Sequence, residues 1–286
     1  VCAAYDGQER AAMRQLDRMI NRDDVPDIDV LLAQRYGGAA GDGRRAVNIE
    51  WDDVDELTPW RHSFAMALGI DPPAGLLEEA GTKFHLREAV SPAVPIERRL
   101  GASDTALRTG VLSSSAAVDL YSYVYDMDEP VDGYIDTSRL LRAAYVAGSP
   151  SQRLEAMRAI WGASEEGDNY GSLVLTAYAA ARFPVDAEYA DDAPALIASM
   201  LAAGLDRNAM RWAAVVPEGT EAWGLLALAQ PNRTQAVSSD AVSDFIGSDD
   251  SEESRKSKFL VAGLAGLDRL GGEDLAEFSE DLELDL

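Results

Sequence analysis

From Ser103 onward, the sequence is divided into segments of helical length by residues that typically begin or end helices. Ser149 followed by Pro150 is typical of a helix N-terminus, because serine caps the first turn and proline fits the first helical position. Gly204 is typical of a helix end, and Pro217 cannot continue a helix. The sequence therefore predicts a succession of helices, each of roughly ten to sixteen residues, joined by tight turns.

The apolar composition indicates the same fold class. Hydrophobic residues make up 47% of the 286-residue chain. Most of them are alanine and leucine, which lose little side-chain entropy in a helix. Because short connections place successive helices antiparallel to each other, we predict an all-α protein of many short helices in antiparallel pairs.

A short internal repetition suggests how the pairs are arranged. The motif AGLDR occurs at residues 203–207 and again at 265–269, and AMR occurs at 156–158 and 209–211. Helix pairs that each carry one apolar face bury it by stacking on neighbouring pairs. We therefore expect a solenoid-like or superhelical array, in which Trp212 and Trp223 act as packing anchors.

The first part of the chain is less regular. Residues 1–100 predict an irregular, mainly helical N-terminal subdomain, and residues 101–286 predict the stacked array with an acidic C-terminal helix. Between them, SPAVPIERR (residues 91–99) predicts an extended connector, and Ser103 is expected to cap the next helix. RRAVNIEW (residues 44–51) is the best strand candidate in the chain.

The charge balance restricts the classes of partner. The formal net charge is −25, which repels phosphate backbones and anionic membrane surfaces, so we expect no nucleic-acid partner. The sequence contains no apolar window of eighteen residues, so we expect no membrane span. The single cysteine, Cys2, can form neither an internal disulfide nor a thiolate metal cage.

One cluster of residues could bind a ligand or a partner. Arg61 and His62 follow an acidic stretch, and a carboxylate from that stretch could orient His62 as a general base. The upstream acids are Asp52, Asp53, Asp55 and Glu56, and the aromatic residues nearby are Trp51 and Trp60. The alternative interpretation is that His62 is a surface histidine beside an acidic turn. No pattern of zinc, calcium, P-loop or dinucleotide-binding residues is complete, so we expect no cofactor and no metal.

The C-terminal segment GGEDLAEFSEDLELDL has seven acids and no base after Gly272. Leu275, Phe278 and Leu282 form one helical stripe. This stripe either docks on the last helix pair as a capping helix or contacts a groove of a partner protein.

These features favour a non-enzymatic scaffold or protein-interaction module with an unidentified protein partner. One alternative is an all-α enzyme or small-ligand-binding protein with its site near Trp60–His62. Another is a structural fragment of a larger envelope protein. The chain does not begin with Met, so we expect a bacterial protein exported to the periplasm with its leader removed; the alternative is a cytoplasmic protein.

Overall fold

The structure, a computed structural model, describes residues 7–22, 25–39, 48–92, 94–128, 131–163, 169–231 and 235–285. Within these ranges the regular secondary structure is helical, without a strand, which confirms the predicted all-α class. The chain divides into two compact units, unit 1 (Val1–Leu112) and unit 2 (Ser113–Leu286).

In its described residues, unit 1 contains six α-helices. They are α1 (Glu9–Ile20), α2 (Asp27–Ala39), α3 (Pro59–Ala67), α4 (Ala74–Ala80), α5 (Thr82–Val90) and α6 (Ile96–Arg108). Helix α2 packs against α1 and α3, and α5 packs against α6. Leu32 of α2 and Phe64 of α3 belong to the same buried apolar cluster. The face of α3 that carries Phe64 therefore packs against α2.

Unit 2 contains ten α-helices among its described residues. They are α7 (Ser114–Tyr125), α8 (Ile135–Val146), α9 (Pro150–Trp161), α10 (Tyr170–Ala181), α11 (Ala193–Ala202), α12 (Asp206–Ala209), α13 (Glu221–Ala229), α14 (Ser239–Ser248), α15 (Arg255–Gly266) and α16 (Gly272–Asp281). Three 3₁₀ helices, at Ala187–Asp192, Met210–Ala214 and Glu252–Ser254, lie between them.

The helices of unit 2 pack in pairs, as the sequence predicts. Successive helices are in contact from α7 to α8, from α8 to α9 and from α10 to α11, and α11 also packs on α13. Two apolar clusters follow each other along the chain. The first contains Trp212 and extends over α8 to α13, and the second contains Trp223 and extends over α13 to α16. Both tryptophans are buried, which confirms them as packing anchors.

Several helix boundaries follow directly from local sequence. The Ser149 side chain accepts a hydrogen bond from the backbone N–H of Gln152, and Pro150 occupies the first turn of α9. Gly204 has a φ of +69° just after α11, a conformation that a residue without Cβ adopts without strain. The predicted start of α9 and the predicted end of α11 are confirmed.

Other local predictions are wrong. Residues 48–51 of the strand candidate are not a strand, and residues 44–47, like Cys2, lie outside the described residues. Ser103 is not a cap, because it is buried inside α6 and donates its hydroxyl to the carbonyl of Leu100 at 2.7 Å. The extended connector is shorter than predicted, since α6 begins at Ile96. The predicted boundary between residues 100 and 101 falls within α6. The division of the chain into an N-terminal subdomain and a stacked array stays a prediction.

The two AGLDR copies do not occupy equivalent positions. In the first copy Gly204 is the residue with positive φ after the helix, whereas in the second copy Asp268 has this role, with a φ of 54°. Arg207 is exposed, but Arg269 is only 8% exposed. The repetition therefore gives no evidence for a structural repeat.

Among the described residues, the helices are too short or too polar to cross a membrane.

Candidate functional site

The predicted cluster begins at the N-terminus of α3. The Thr58 hydroxyl accepts a hydrogen bond from the backbone N–H of Arg61 at 3.2 Å and caps the helix. The Arg61 Nε donates to the carboxylate of Asp29 on α2 at 2.7 Å, and its Nη1 donates to the carbonyl of Glu56 at 2.7 Å. Arg61 therefore joins α3 to α2 and to the preceding loop.

His62 points the other way, into the interior of unit 1. Its Nε2 lies 3.0 Å from Oε1 of Glu88 on α5. Its ring packs edge-on against the ring of Phe84, with 4.8 Å between the ring centroids. His62 is 2% exposed and Glu88 is 4% exposed. The carboxylate that orients His62 is thus Glu88, and the prediction of an upstream acid as its partner is wrong.

Arg98 extends the buried His62–Glu88 pair into a polar network that reaches the exposed Asp71. From α6, its Nη2 donates to the carboxylate of Glu88, and its Nη1 donates to the carboxylate of Asp71. The network therefore links α3, α5, α6 and the loop before α4. The buried Glu88 carboxylate therefore has hydrogen-bond partners in His62 and Arg98. A carboxylate removed from water needs such partners.

Burial lowers the pKa of His62 below its ordinary value of 6.5. The hydrogen bond and charge of Glu88 oppose this shift, whereas Arg98 and Arg87 add to it. A histidine with a lowered pKa and an orienting carboxylate has the chemistry of a general base. However, the ring is enclosed, so a substrate cannot reach it in this conformation.

The predicted aromatic residues lie around this network but not in it. Trp60 is 37% exposed and stacks on Phe64 at 4.3 Å between ring centroids. Trp51 is half-buried against the apolar clusters of unit 1. Glu88 was not identified from sequence. Its only signal is its position four residues after Phe84, on the apolar face of a short helix.

Phe278 is buried within unit 2. It is 6% exposed and belongs to the cluster that contains Trp223, Phe245 and Leu282. In this conformation the apolar stripe of α16 is covered by the chain itself. A partner could contact Phe278 only after α16 has left its docked position.

A second candidate site is a groove on unit 2, formed by α7, α8 and the C-terminal end of α10. Between α7 and α8 it has a cavity of about 170 Å³, and next to α10 it has another of about 260 Å³. We call this surface the tyrosine groove. Its principal lining residues are Val118, Tyr125, Leu141, Arg142, Tyr145, Tyr178 and Arg182.

The tyrosines of the groove differ in exposure. Tyr125 is 38% exposed and Tyr178 is 39% exposed, whereas Tyr145 lines both cavities with a buried hydroxyl that makes no hydrogen bond of ordinary geometry. Burial raises the pKa of Tyr145 to about 12. Tyr145 therefore stays neutral near pH 7, and it lines both cavities of the groove.

The groove was not identified from sequence. The run YSYVYDM predicts a helix, but its period does not show which tyrosines stay exposed, because that depends on α8 and α10. In the part of the chain that the structure describes, no three His, Cys, Asp or Glu side chains are grouped so that they could hold a metal ion.

Comparisons of the chain with protein-family models, with curated proteins and with solved structures found no match.

Proposed function

We propose that this chain is a non-enzymatic protein-interaction module whose contact surface is the tyrosine groove. The observation that supports this most is the concentration of exposed aromatic side chains there. Tyr125 and Tyr178 line the groove at 38% and 39% exposure, and Val146, which also lines the cavity between α7 and α8, is 64% exposed. Clustered exposed aromatic and apolar groups mark protein-binding surfaces, at which tyrosine and arginine are enriched.

The size of the cavities supports a protein partner over a cofactor. A pocket for a drug-sized molecule usually has a volume of about 300–1,000 Å³. The two cavities of the groove, at about 170 Å³ and about 260 Å³, are each smaller. Each matches a single inserted side chain better than an organic cofactor.

The test is site-specific photocrosslinking of the full chain in its native cells. A benzophenone amino acid replaces Tyr178 in the groove or, as the matched control, Phe259 on α15, which is 70% exposed. We expect a discrete protein adduct from position 178 only. Equal adducts from both positions, or adducts from 259 alone, would contradict the proposal.

A second candidate function is an enzyme or small-ligand-binding protein with its site at His62. The hydrogen bond between His62 and Glu88 favours it, since an oriented imidazole is the usual general base. This function requires α3 or α5 to move and admit a ligand. A ligand screen monitored by thermal shift tests it: a stabilising ligand whose effect disappears in His62→Gln would support this candidate.

We infer that the helix pairs of unit 2 also form a short solenoid-like array. The two apolar clusters contain residues that are close in sequence, as in proteins whose repeats contact only their neighbours. Hydrogen exchange on full-length Phe278→Ala tests this. Loss of protection confined to α13–α16 supports the array, and uniform loss of protection across unit 2 contradicts it.

A further inference from the structure

Two arginines of the tyrosine groove lie over tyrosine rings. The guanidinium carbon of Arg142 is 4.7 Å from the ring centroid of Tyr125, and that of Arg182 is 5.8 Å from the ring centroid of Tyr145. Within the described ranges, neither guanidinium group forms a hydrogen bond or an ion pair with another residue. Their N–H donors are therefore available to a ligand.

Three other arginines of the chain, by comparison, have a carboxylate partner. Arg61 pairs with Asp29, Arg139 pairs with Asp136, and Arg158 pairs with Asp192 through its Nε and one terminal nitrogen, Nη2. The chain has 50 Asp and Glu residues and only 25 Lys and Arg residues. Carboxylates are therefore plentiful, and Arg142 and Arg182 are unpaired among the described residues for another reason.

The groove itself contains carboxylates that the arginines do not use. Asp126 lines the same cavity as Arg142, and Asp119 lines the same cavity as Arg182. Each guanidinium group lies over a tyrosine ring that lines the groove, and a guanidinium group can pair with a carboxylate in two parallel hydrogen bonds. Val118 and Leu141 supply an apolar floor next to these donors.

We propose that the tyrosine groove binds a short acidic peptide segment of a partner protein. An apolar side chain of the segment enters the cavity between α7 and α8, and carboxylates of the segment pair with Arg142 and Arg182. This inference rests on the proposed function, because it names the partner chemistry of the same groove. A long polyanion such as a nucleic acid is repelled by the net charge of −25 more strongly than a short segment that presents two carboxylates to the two arginines.

The test begins with selection of random displayed twelve-residue peptides on the intact chain. Binding of the enriched peptides is then measured by fluorescence anisotropy for the wild type and for R142Q/R182Q. Arg139→Gln is the matched control, because Arg139 is on the same helix as Arg142, is exposed and does not line the groove. Circular dichroism melting curves confirm that each variant is folded.

We expect enriched peptides that combine acids with a large apolar residue. Their dissociation constants should rise at least about tenfold in R142Q/R182Q, because hydrogen bonds to charged groups are lost, and should stay unchanged in Arg139→Gln. Replacement of the peptide acids by their amides should weaken wild-type binding to the same degree.

Enriched peptides without acids, or dissociation constants that are the same in R142Q/R182Q and the wild type, would overturn the inference. The double variant Tyr125→Ser/Tyr178→Ser separates this result from failure of the proposed function. If those peptides lose binding in the tyrosine variant, the groove is still an interaction surface. If they do not, the proposed function fails as well.

Discussion

His62 and Glu88, 26 positions apart in the sequence, form a buried hydrogen bond of 3.0 Å between α3 and α5. Arg98 from α6 donates to the same Glu88 oxygen. Three helices of unit 1 are therefore joined by one carboxylate. Because His62 and Glu88 come from separate helices, protonation of His62 changes a contact between α3 and α5.

The contribution of His62 to the stability of the protein should fall as pH decreases below about 6.5. Burial lowers the pKa of His62 in the folded chain, whereas the unfolded chain titrates near the ordinary value of 6.5. Below that value the unfolded state binds the proton first, so the free energy of unfolding falls, by at most about 1.4 kcal/mol per pH unit. Denaturant unfolding of the wild type and of His62→Gln at several pH values measures this contribution.

The wild-type advantage over His62→Gln should shrink as pH decreases, because only the wild type carries this histidine. His85→Gln is the matched control, since His85 is on α5 but outside the network, and its curve should follow the wild type. A constant difference between wild type and His62→Gln at all pH values would show that burial of this imidazole does not contribute to the pH dependence.

Arg269 should contribute far more to stability than Arg207, although both end an AGLDR motif. Its guanidinium group donates to the carbonyls of Ala227, Leu228 and Gln230 at the C-terminal end of α13, where a cation is favoured. Arg269→Met should lower the free energy of unfolding by about 3 kcal/mol, because hydrogen bonds to a charged donor are lost. The exposed Arg207→Met should change it by less than about 0.5 kcal/mol. Equal effects in urea unfolding would refute the capping role.

Phe278 should be one of the residues on which the second apolar cluster depends. Replacement by alanine leaves a cavity in that cluster and should lower the free energy of unfolding by about 3–5 kcal/mol. Phe259→Ala on the exposed face of α15 is the control and should have an effect below about 0.5 kcal/mol. If thermal melting shows Phe278→Ala to be as stable as the control, α16 is not docked in solution.

A buried polar chain should stabilise the packing of α9, α10 and α11. The Trp161 Nε1–H donates to Thr176 Oγ1 at 2.7 Å, and the hydroxyls of Thr176 and Ser199 are 2.9 Å apart. Thr176→Val keeps the shape but leaves the indole N–H without an acceptor, so we expect a loss of about 1–3 kcal/mol.

The double variant Thr176→Val/Trp161→Phe tests the cause of that loss. Phenylalanine has no indole N–H that needs an acceptor. Trp161→Phe should therefore lower the free energy of unfolding less in the Thr176→Val background than in the wild type. Additive effects in a double-mutant cycle would show that the indole hydrogen bond does not contribute.

Local sequence predicted helix ends where one residue has a strong conformational preference. Ser149 with Pro150, and Gly204, act within one turn of chain, so their effect does not depend on distant residues. Ser103 shows the limit of this reasoning. A serine can also satisfy its hydroxyl within a helix, and apolar packing of the α5–α6 pair extends the helix through it.

The candidate sites were predicted less completely. The sequence singled out His62 and Arg61 on α3, but it gave them the same acidic neighbours, whereas the structure gives them Glu88 and Asp29 as partners. Side-chain direction on a helix changes by about 100° per residue, so adjacent residues meet different elements. The packing of the helices decides which element Arg61 contacts and which element His62 contacts.

The sequence by itself determined the all-α class, the position of several helix ends and the acidic charge, because these depend on single-residue preferences and on composition. Only the tertiary structure decided that Glu88 is buried beside His62, that Arg269 is buried while Arg207 is exposed, and that Tyr145 forms a groove floor. The physical reason is that burial and pairing depend on which helices are neighbours. Those neighbours are selected by the fit of whole apolar faces, which no short stretch of sequence specifies.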